Sequence, residues 1–189
     1  AMGVCGKTAD VSNLQDELTG ALIGLAQTAI NTGKARVETY RLILEGLFTT
    51  VTNVNFNDQT VAEVTKKVHE ENKAISPHCN VCDQTFGKYS DYNLENLWTT
   101  DEDIRSLKSL ILFGIRGMAA YAYHAMVLNY RDEEVDEFFV KALAALGDES
   151  LGMDELLPLV LEVGKINLKC MELLDRAHTE TFGNPEPSE

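Results

Sequence analysis

The chain has 189 residues, of which 44% are hydrophobic and 24% are charged, with 13 Gly and 4 Pro. This length and composition exclude a marginal mini-protein and a disordered chain, because enough apolar material is present to form a sizeable core. The 30 acidic residues outnumber the 16 basic ones, and the formal charge of −14 disfavours binding to nucleic acid or to an anionic membrane surface.

Three amphipathic helices are predicted in the first part of the chain. Leu, Ile, Val and Ala recur there at spacings of three and four residues, which is typical of helices with one apolar face. Residues able to cap a helix precede the first and third of them. The predicted bounds are Asp10 or Ser12 to the stop at residues 31–33, about 35–51, and Asn57 or Asp58 to about Lys73.

A long connection over residues 76–99 separates these helices from three more, predicted at about 101–130, 133–146 and 154–181. Thr100 and Asp103 resemble a capping box that opens the fourth helix. Its predicted core stripe is Ile104, Leu107, Leu110, Ile111, Ile115 and Met118. The apolar positions of the sixth helix are Leu157, Val160, Leu161, Ile166, Met171 and Leu174.

These elements predict an all-α protein of six helices in two three-helix bundles. The bundles are expected at residues 1–75 and 100–182, joined by the connection 76–99 and followed by an exit linker at 183–189. We expect no helix to cross a membrane, because no stretch approaches the roughly 18 to 20 apolar residues required. With no signal pattern at the N-terminus, a cytoplasmic location is the default expectation.

Cys5 is the first residue that could carry chemistry. It lies between two glycines just before a helix, where backbone N–H groups and the helix dipole would stabilise a thiolate. An incidental cysteine explains the same pattern equally well. The neighbouring Gly6-Lys7-Thr8 triplet lacks the upstream glycine and the strand of a phosphate-binding loop.

Cys79 and Cys82 form a single C-x-x-C motif next to His78. This motif supplies only two of the four ligands that a structural zinc or iron–sulfur site needs. Cys170, in the middle of the sixth helix, is predicted to be a packed thiol. No Glu is followed by His three positions later, which excludes a ferritin-like di-metal site. His124 is expected to be a hydrogen-bonded packing residue.

Several motifs resemble the hybrid-cluster (prismane) protein family, in the same order along nearly the whole chain. They are Gly3-Val4-Cys5-Gly6-Lys7-Thr8 with Asn13-Leu14-Gln15-Asp16, then Thr52-Asn53-Val54-Asn55-Phe56, then Asp103-Ile104-Arg105-Ser106-Leu107-Lys108 with Gly114-Ile115-Arg116-Gly117-Met118, then Gly164-Lys165-Ile166-Asn167, and the exit 182–187. The connection 76–99 matches no family motif.

The resemblance implies a hydroxylamine reductase, which reduces hydroxylamine to ammonia and water, with a proposed role in nitric-oxide detoxification. It also implies an N-terminal domain of two three-helix bundles in a larger protein, whose other domains and redox electron donor are the expected partners. The family's N-terminal run of four cysteines holds a conventional iron–sulfur cluster, [4Fe–4S] or [2Fe–2S]. Cys5 matches the last of these cysteines and is the only metal ligand that the resemblance assigns here.

The other three cysteines of that run, and the later ligands of the hybrid iron–sulfur–oxygen cluster, have no counterpart in this sequence. One thiolate cannot hold a cluster that requires four, so we expect this chain alone to bind no cluster and to be non-catalytic. The alternative is a stand-alone helical binding module, in which the acidic surface and the loop containing Cys79 and Cys82 bind a partner.

Overall fold

The computed structural model describes residues 6–51, 56–76 and 91–187, which form seven helices and no strand. The all-α prediction is confirmed. A short helix within the connection 76–99 is additional to the six expected. The helices are α1 (Ala9–Thr32), α2 (Val37–Thr49), α3 (Asp58–Ile75), α4 (Leu94–Thr99), α5 (Glu102–Val127), α6 (Glu133–Leu146) and α7 (Met153–Phe182).

Capping side chains begin α1 and α3. The Thr8 hydroxyl accepts a hydrogen bond from the Val11 amide at 3.2 Å, so the prediction of Asp10 or Ser12 as the cap of α1 was wrong. Asn57 caps α3, as one of the two predictions stated. Thr, Ser, Asp and Asn are all good caps, so a pattern containing several neighbouring candidates does not select one.

The ends of α1 and α5 follow the same logic. Gly33 ends α1 in the left-handed conformation, at φ 62°, which confirms the predicted stop. At the start of α5, the Asp101 side chain accepts from the Asp103 amide at 3.0 Å. Asp101, and not Thr100, is therefore the cap of this helix.

The helices form two groups around one shared core. Helices α1, α2 and α3 pack on one another, as do α5, α6 and α7, which agrees with the two predicted three-helix bundles. The groups are joined where α1 meets α6 and where α2 meets α5 and α6. A single hydrophobic cluster contains residues of all seven helices. The domain boundaries at residues 75 and 99 remain a prediction.

Tyr92, just before α4, lies against the middle of α1. The Tyr92 amide donates to the Gly20 carbonyl at 3.1 Å. A Cβ atom at Gly20 would overlap the Tyr92 carbonyl oxygen, so this close approach requires glycine in α1.

The outer surfaces of α5 and α7 carry apolar side chains that are exposed in the described structure. Leu110, predicted to be in the core, is 57% exposed, so that prediction was wrong. On α7, Leu157, Leu161 and Met171 are 51%, 71% and 45% exposed. Helical periodicity identifies apolar positions, but it does not reveal whether a neighbouring helix of the same chain covers them.

Helix α5 is the one described helix that is long and apolar enough to cross a membrane by length and composition, contrary to the expectation from the sequence. An 18-residue window of it has a mean hydropathy of 1.3, and 39% of that window is buried inside the protein. The helix packs on α2, α6 and α7, as core helices of bundles do.

Candidate functional site

Three of the four cysteines, Cys5, Cys79 and Cys82, lie outside the described residues, as does His78. Cys170 on α7 is fully buried, and burial raises the pKa of its thiol to about 12. A thiol with such a high pKa stays protonated near neutral pH and is a poor nucleophile or metal ligand. The prediction that Cys170 is a packed thiol is confirmed.

The described residues do not fit an iron–sulfur cluster. Such clusters are held by several thiolates, occasionally with histidine. Among residues 6–51, 56–76 and 91–187, no three His, Cys, Asp or Glu side chains lie together in a way that could hold a metal ion.

A polar network connects the segment before α1 with the end of α2. Lys7 Nζ donates to Gln15 Oε1 at 3.0 Å. Gln15 is only 3% exposed, and its Nε2 donates to the Thr49 carbonyl at 3.4 Å. The Thr49 carbonyl lies at the C-terminus of α2, where the last carbonyls lack helical partners. Gln15 thus ties residue 7, two positions from Cys5, to the end of the second helix.

The network continues from α1 to α5 through a buried threonine. The Thr19 hydroxyl donates to the Gln15 carbonyl at 2.8 Å and accepts from Arg116 Nη2 at 2.8 Å. Thr19 is fully buried. Helices α1 and α5 are therefore joined by a hydrogen bond between residues that are 97 positions apart.

Arg116 has an unusual electrostatic environment. Burial lowers the pKa of its guanidinium, and the charge of Asp16 opposes this shift only in part. Its Nε is buried and has no hydrogen-bond partner in the described part of the chain. The same is true of the Nε of Arg131, but Arg131 Nη2 forms an ion pair with Asp136. A buried donor without a partner lowers the stability of the folded state. Arg116 is therefore poorly explained by a purely structural role.

Lys7, Gln15, Thr19, Thr49 and Arg116 constitute the polar network, which is the candidate site. It contains two cationic side chains, an amide and hydroxyl groups, which suit the stabilisation of negative charge and the fixing of a neighbouring segment. Arg116 lies within the motif Gly114-Ile115-Arg116-Gly117-Met118, but its role was not predicted from the sequence. A charged residue between the apolar positions Ile115 and Met118 was the available signal.

The remaining polar clusters of the described residues have structural explanations. The Glu71 carboxylate is 4% exposed, is paired with Arg36 and accepts from the Thr39 hydroxyl at 2.5 Å. Lys108 Nζ donates to the Leu146 and Asp148 carbonyls at 2.9 and 2.8 Å, at the C-terminus of α6. These contacts join helices and give the buried charged groups hydrogen-bond partners.

His124 differs from its prediction. It is exposed, and its ring packs edge-on against Phe48 and Tyr123, with centroids 5.3 and 6.0 Å away. The contacts of this histidine are aromatic instead of the hydrogen bonds that were predicted. The reason is that position 124 lies on the outer side of α5, one turn beyond the exposed Tyr121.

Comparison with known proteins gives the following matches. The chain matches the model of the Prismane/CO dehydrogenase family over residues 1–189. It is 41% identical over 206 residues to the hydroxylamine reductase of Caldanaerobacter subterraneus subsp. tengcongensis, and 41% identical over 203 residues to that of Thermoanaerobacter pseudethanolicus. It is 39% identical over 206 residues to the hydroxylamine reductase of Methanococcus vannielii.

These alignments cover 98%, 97% and 100% of the chain, but only 38%, 37% and 38% of the respective relatives. The chain therefore spans well under half the length of the relatives that it matches.

Proposed function

The chain belongs to the Prismane/CO dehydrogenase family, and we propose that it is the helical domain of a longer hydroxylamine reductase. The observation that supports this most directly is the asymmetry of coverage. Hydroxylamine reductases align with 97–100% of this chain, while the chain accounts for 37–38% of their length. The helical bundle is thus a part of the proposed enzyme.

The proposed reaction of the longer protein is the reductive cleavage of the N–O bond of hydroxylamine. Two electrons from a redox donor and two protons convert hydroxylamine to ammonia and water. The iron–sulfur and hybrid clusters that the family implies would supply the redox chemistry. Since the described residues offer no metal-binding group, we assign those centres to the rest of the longer protein, with Cys5 as one ligand of the conventional cluster.

The described residues have a positioning role in this proposal. The polar network fixes residue 7 against α1 and α2 through the Lys7–Gln15 and Gln15–Thr49 hydrogen bonds. It thereby orients the segment next to Cys5 relative to the bundle. In this proposal the partners are the remaining domains of the longer protein and an electron donor. Nucleic acid and membranes are not among the proposed partners. The proposed location is the cytoplasm.

An activity comparison tests the proposed function. The full-length protein encoded by the natural reading frame, with its clusters loaded anaerobically, should produce ammonia from hydroxylamine with reduced methyl viologen as donor. The 189-residue chain alone should produce none above the buffer background. A reading frame that ends near Glu189, or ammonia formation by the chain alone, would overturn the proposal. The first of these results would favour the stand-alone binding module.

The role of Cys5 is tested by iron content in the full-length protein. Cys5→Ser should lower the iron content and the visible absorption of the conventional cluster, because a hydroxyl is a poor ligand for iron in such clusters. Cys170→Ala is the matched control and should leave both unchanged, because the buried thiol of Cys170 is protonated. Equal iron content in the wild type and Cys5→Ser would exclude Cys5 as a ligand.

A further inference from the structure

Helices α5 and α7 each present exposed apolar side chains to solvent. On each helix the exposed residues recur at spacings of three or four positions, so each set forms one stripe. The two helices touch between the stripes, where a Cβ atom at Gly114 would lie 2.5 Å from Val163 Cγ1. We call this surface the α5–α7 face. Its residues are Leu110, Phe113, Gly117 and Tyr121 of α5, and Leu157, Leu161, Gly164, Leu168 and Met171 of α7.

The apolar side chains of the α5–α7 face are 37–71% exposed. Trp98 of α4 extends the face, since its ring lies 6.4 Å from that of Phe113 and is 40% exposed. Single exposed apolar residues are common on soluble proteins, whereas large contiguous patches mark interaction surfaces.

Three charged residues of α7, Glu162, Lys165 and Lys169, are paired with residues of α6. Lys141 Nζ is 2.6 Å from a Glu162 oxygen, and Lys169 Nζ is 2.6 Å from a Glu134 oxygen. Lys165 also reaches Glu134, at 3.9 Å. Along α7 the α5–α7 face is apolar from Leu157 to Met171 and ends at the exposed Asp175, which continues the same spacing. The apolar composition of the face favours an apolar partner over an ionic one.

Two helical glycines on the α5–α7 face have no packing neighbour among the residues that the structure describes. A Cβ atom at Gly117 or Gly164 would meet nothing within 4 Å. Glycine inside a helix costs about 1 kcal/mol relative to alanine. At Gly114 the close approach of Val163 explains the glycine, but no described residue lies close enough to Gly117 or Gly164 to explain theirs. A partner that packs closely against these two positions would explain why they are glycine.

We propose that the α5–α7 face is the surface on which the remainder of the longer protein docks, with its closest approach at Gly117 and Gly164. This inference rests on the proposed function, because the docking partner is the rest of the same polypeptide. That part corresponds to the 62–63% of the relatives' length that this chain does not match. The exposed Phe182 at the end of α7 places apolar surface next to residues 183–187. A surface of this kind resembles the apolar centre of a permanent interface.

Hydroxyl-radical footprinting measures the exposure of the individual side chains. In the 189-residue chain, Phe113, Leu161, Leu168 and Met171 should be oxidised readily. In the full-length protein their oxidation should fall at least about fivefold, as expected for side chains that become buried. Val37, which is 67% exposed on α2, is the control and should react equally in both proteins.

Equal oxidation of the α5–α7 face in both proteins would overturn the inference while leaving the proposed function intact. A reading frame that ends near Glu189 would instead overturn the proposed function. Concentration-dependent dimerisation of the full-length protein through this face would assign it to a second copy and would also overturn the inference. Co-sedimentation of the full-length protein with phosphatidylcholine vesicles would assign it to a lipid surface, with the same consequence.

Substitution of Gly117 provides a second test, because it should stabilise the 189-residue chain but disturb docking in the full-length protein. Gly117→Ala should raise the midpoint of urea unfolding of the 189-residue chain, because alanine favours the helix and the added methyl group meets open space. In the full-length protein the same change should increase the oxidation of Leu161 and Met171 at least about twofold, because the methyl group would separate the docked surfaces. Unchanged oxidation in the full-length variant would exclude close approach at this position.

Discussion

At the scale of single residues, two arginines have a buried Nε but differ in whether the guanidinium is paired with a carboxylate. Arg131 is paired with Asp136, whose carboxylate is 5% exposed. Arg116 reaches only the hydroxyl of Thr19 among the described hydrogen bonds, although the charge of Asp16 is near. The two residues therefore contribute differently to stability, although both side chains have the same charge.

We expect Arg131→Met to lower the free energy of unfolding by about 3 kcal/mol, because the buried Asp136 carboxylate would lose its partner. Arg116→Met should change it by less than about 1 kcal/mol, because the lost hydrogen bond is offset by relief of the unpartnered Nε. Urea denaturation at pH 7 measures both changes. Equal losses in the two variants would contradict this distinction.

The same pair of residues predicts a pH dependence. Burial raises the pKa of Asp136, although Arg131 opposes the rise. In Arg131→Met the pKa should rise further, so the folded state binds a proton more tightly than the unfolded state. The stability lost in this variant should therefore be recovered as the pH falls through the pKa of Asp136. A loss that is constant from pH 7 to pH 4 would be inconsistent with a buried carboxylate as its cause.

Cys170 provides a test at alkaline pH. Burial raises its pKa from 9.0 to about 12, so the folded state holds the thiol proton that the unfolded state releases above pH 9. A group with a raised pKa contributes stability that is lost as the pH rises through that pKa. We expect Cys170→Ala to be about 1 kcal/mol less stable than the wild type at pH 7, as is typical of buried substitutions.

Between pH 9 and pH 12 this difference should shrink by up to about 1.4 kcal/mol per pH unit and then change sign. Lysine and tyrosine titrations are common to both proteins and cancel in the comparison. A difference in unfolding free energy that stays constant from pH 8 to pH 11 would show that the thiol is not protected by burial.

At the scale of the helices, glycine positions determine how closely neighbours pack. At Gly114 the methyl group of an alanine would lie 2.5 Å from Val163 Cγ1, which is too close for any real contact. Helices α5 and α7 form the most extensive pairing in the described part of the chain. The close approach of α5 and α7 at this point therefore requires that residue 114 has no side chain.

We expect Gly114→Ala to lower the free energy of unfolding by about 2 kcal/mol, since overpacking forces α5 and α7 apart. In the 189-residue chain, Gly164→Ala is the control on the partner helix and should raise stability by up to about 1 kcal/mol, because no described atom lies within 4 Å of its Cβ position. Thermal unfolding followed by circular dichroism measures both. A stabilising Gly114→Ala would show that Val163 moves aside without cost.

At the scale of the whole molecule, one core joins the two predicted bundles. The hydrophobic cluster includes Leu22 and Leu47 of the first three helices and Ile111, Phe139 and Ile166 of the last three. Both groups exclude water from the same interior, so neither can lose its packing without exposing the other. This arrangement favours cooperative unfolding.

We expect Leu22→Ala, in α1, to lower the free energy of unfolding by about 3 kcal/mol, as for other fully buried leucines. Trp98 on α4 is the only tryptophan and contacts Phe113 of α5, so its fluorescence reports on the other group of helices. Fluorescence and circular dichroism should shift together. Val37→Ala, at an exposed position, should shift neither, and two separate transitions would show that the bundles unfold independently.

Much of the fold could be predicted from the sequence because helices depend on local patterns. The ends of α1 and α6 followed from Gly33 and Gly147, and the family motifs lie along the whole chain. The predicted cap of α5 was wrong by one residue, because Thr100 and Asp101 can both cap a helix. Helix α4 escaped prediction because six residues contain too little periodicity.

The candidate site was less predictable. Cys5, the one ligand that the resemblance assigned, lies outside the described residues, so its role stays a proposal. The network of Lys7, Gln15 and Arg116 emerged only from the packing of α1, α2 and α5. Hydrogen bonds between distant residues depend on how helices are placed, which local sequence patterns do not specify.

The sequence by itself determined the helical class, most helix bounds and the family, because periodicity, capping residues and motif order are local properties of the chain. Only the tertiary structure decided which apolar residues are covered. Leu110 and Ile111 are adjacent and equally apolar, yet one is 57% exposed and the other is fully buried. The difference arises from the helices packed against α5, since burial depends on neighbours brought together from distant parts of the chain.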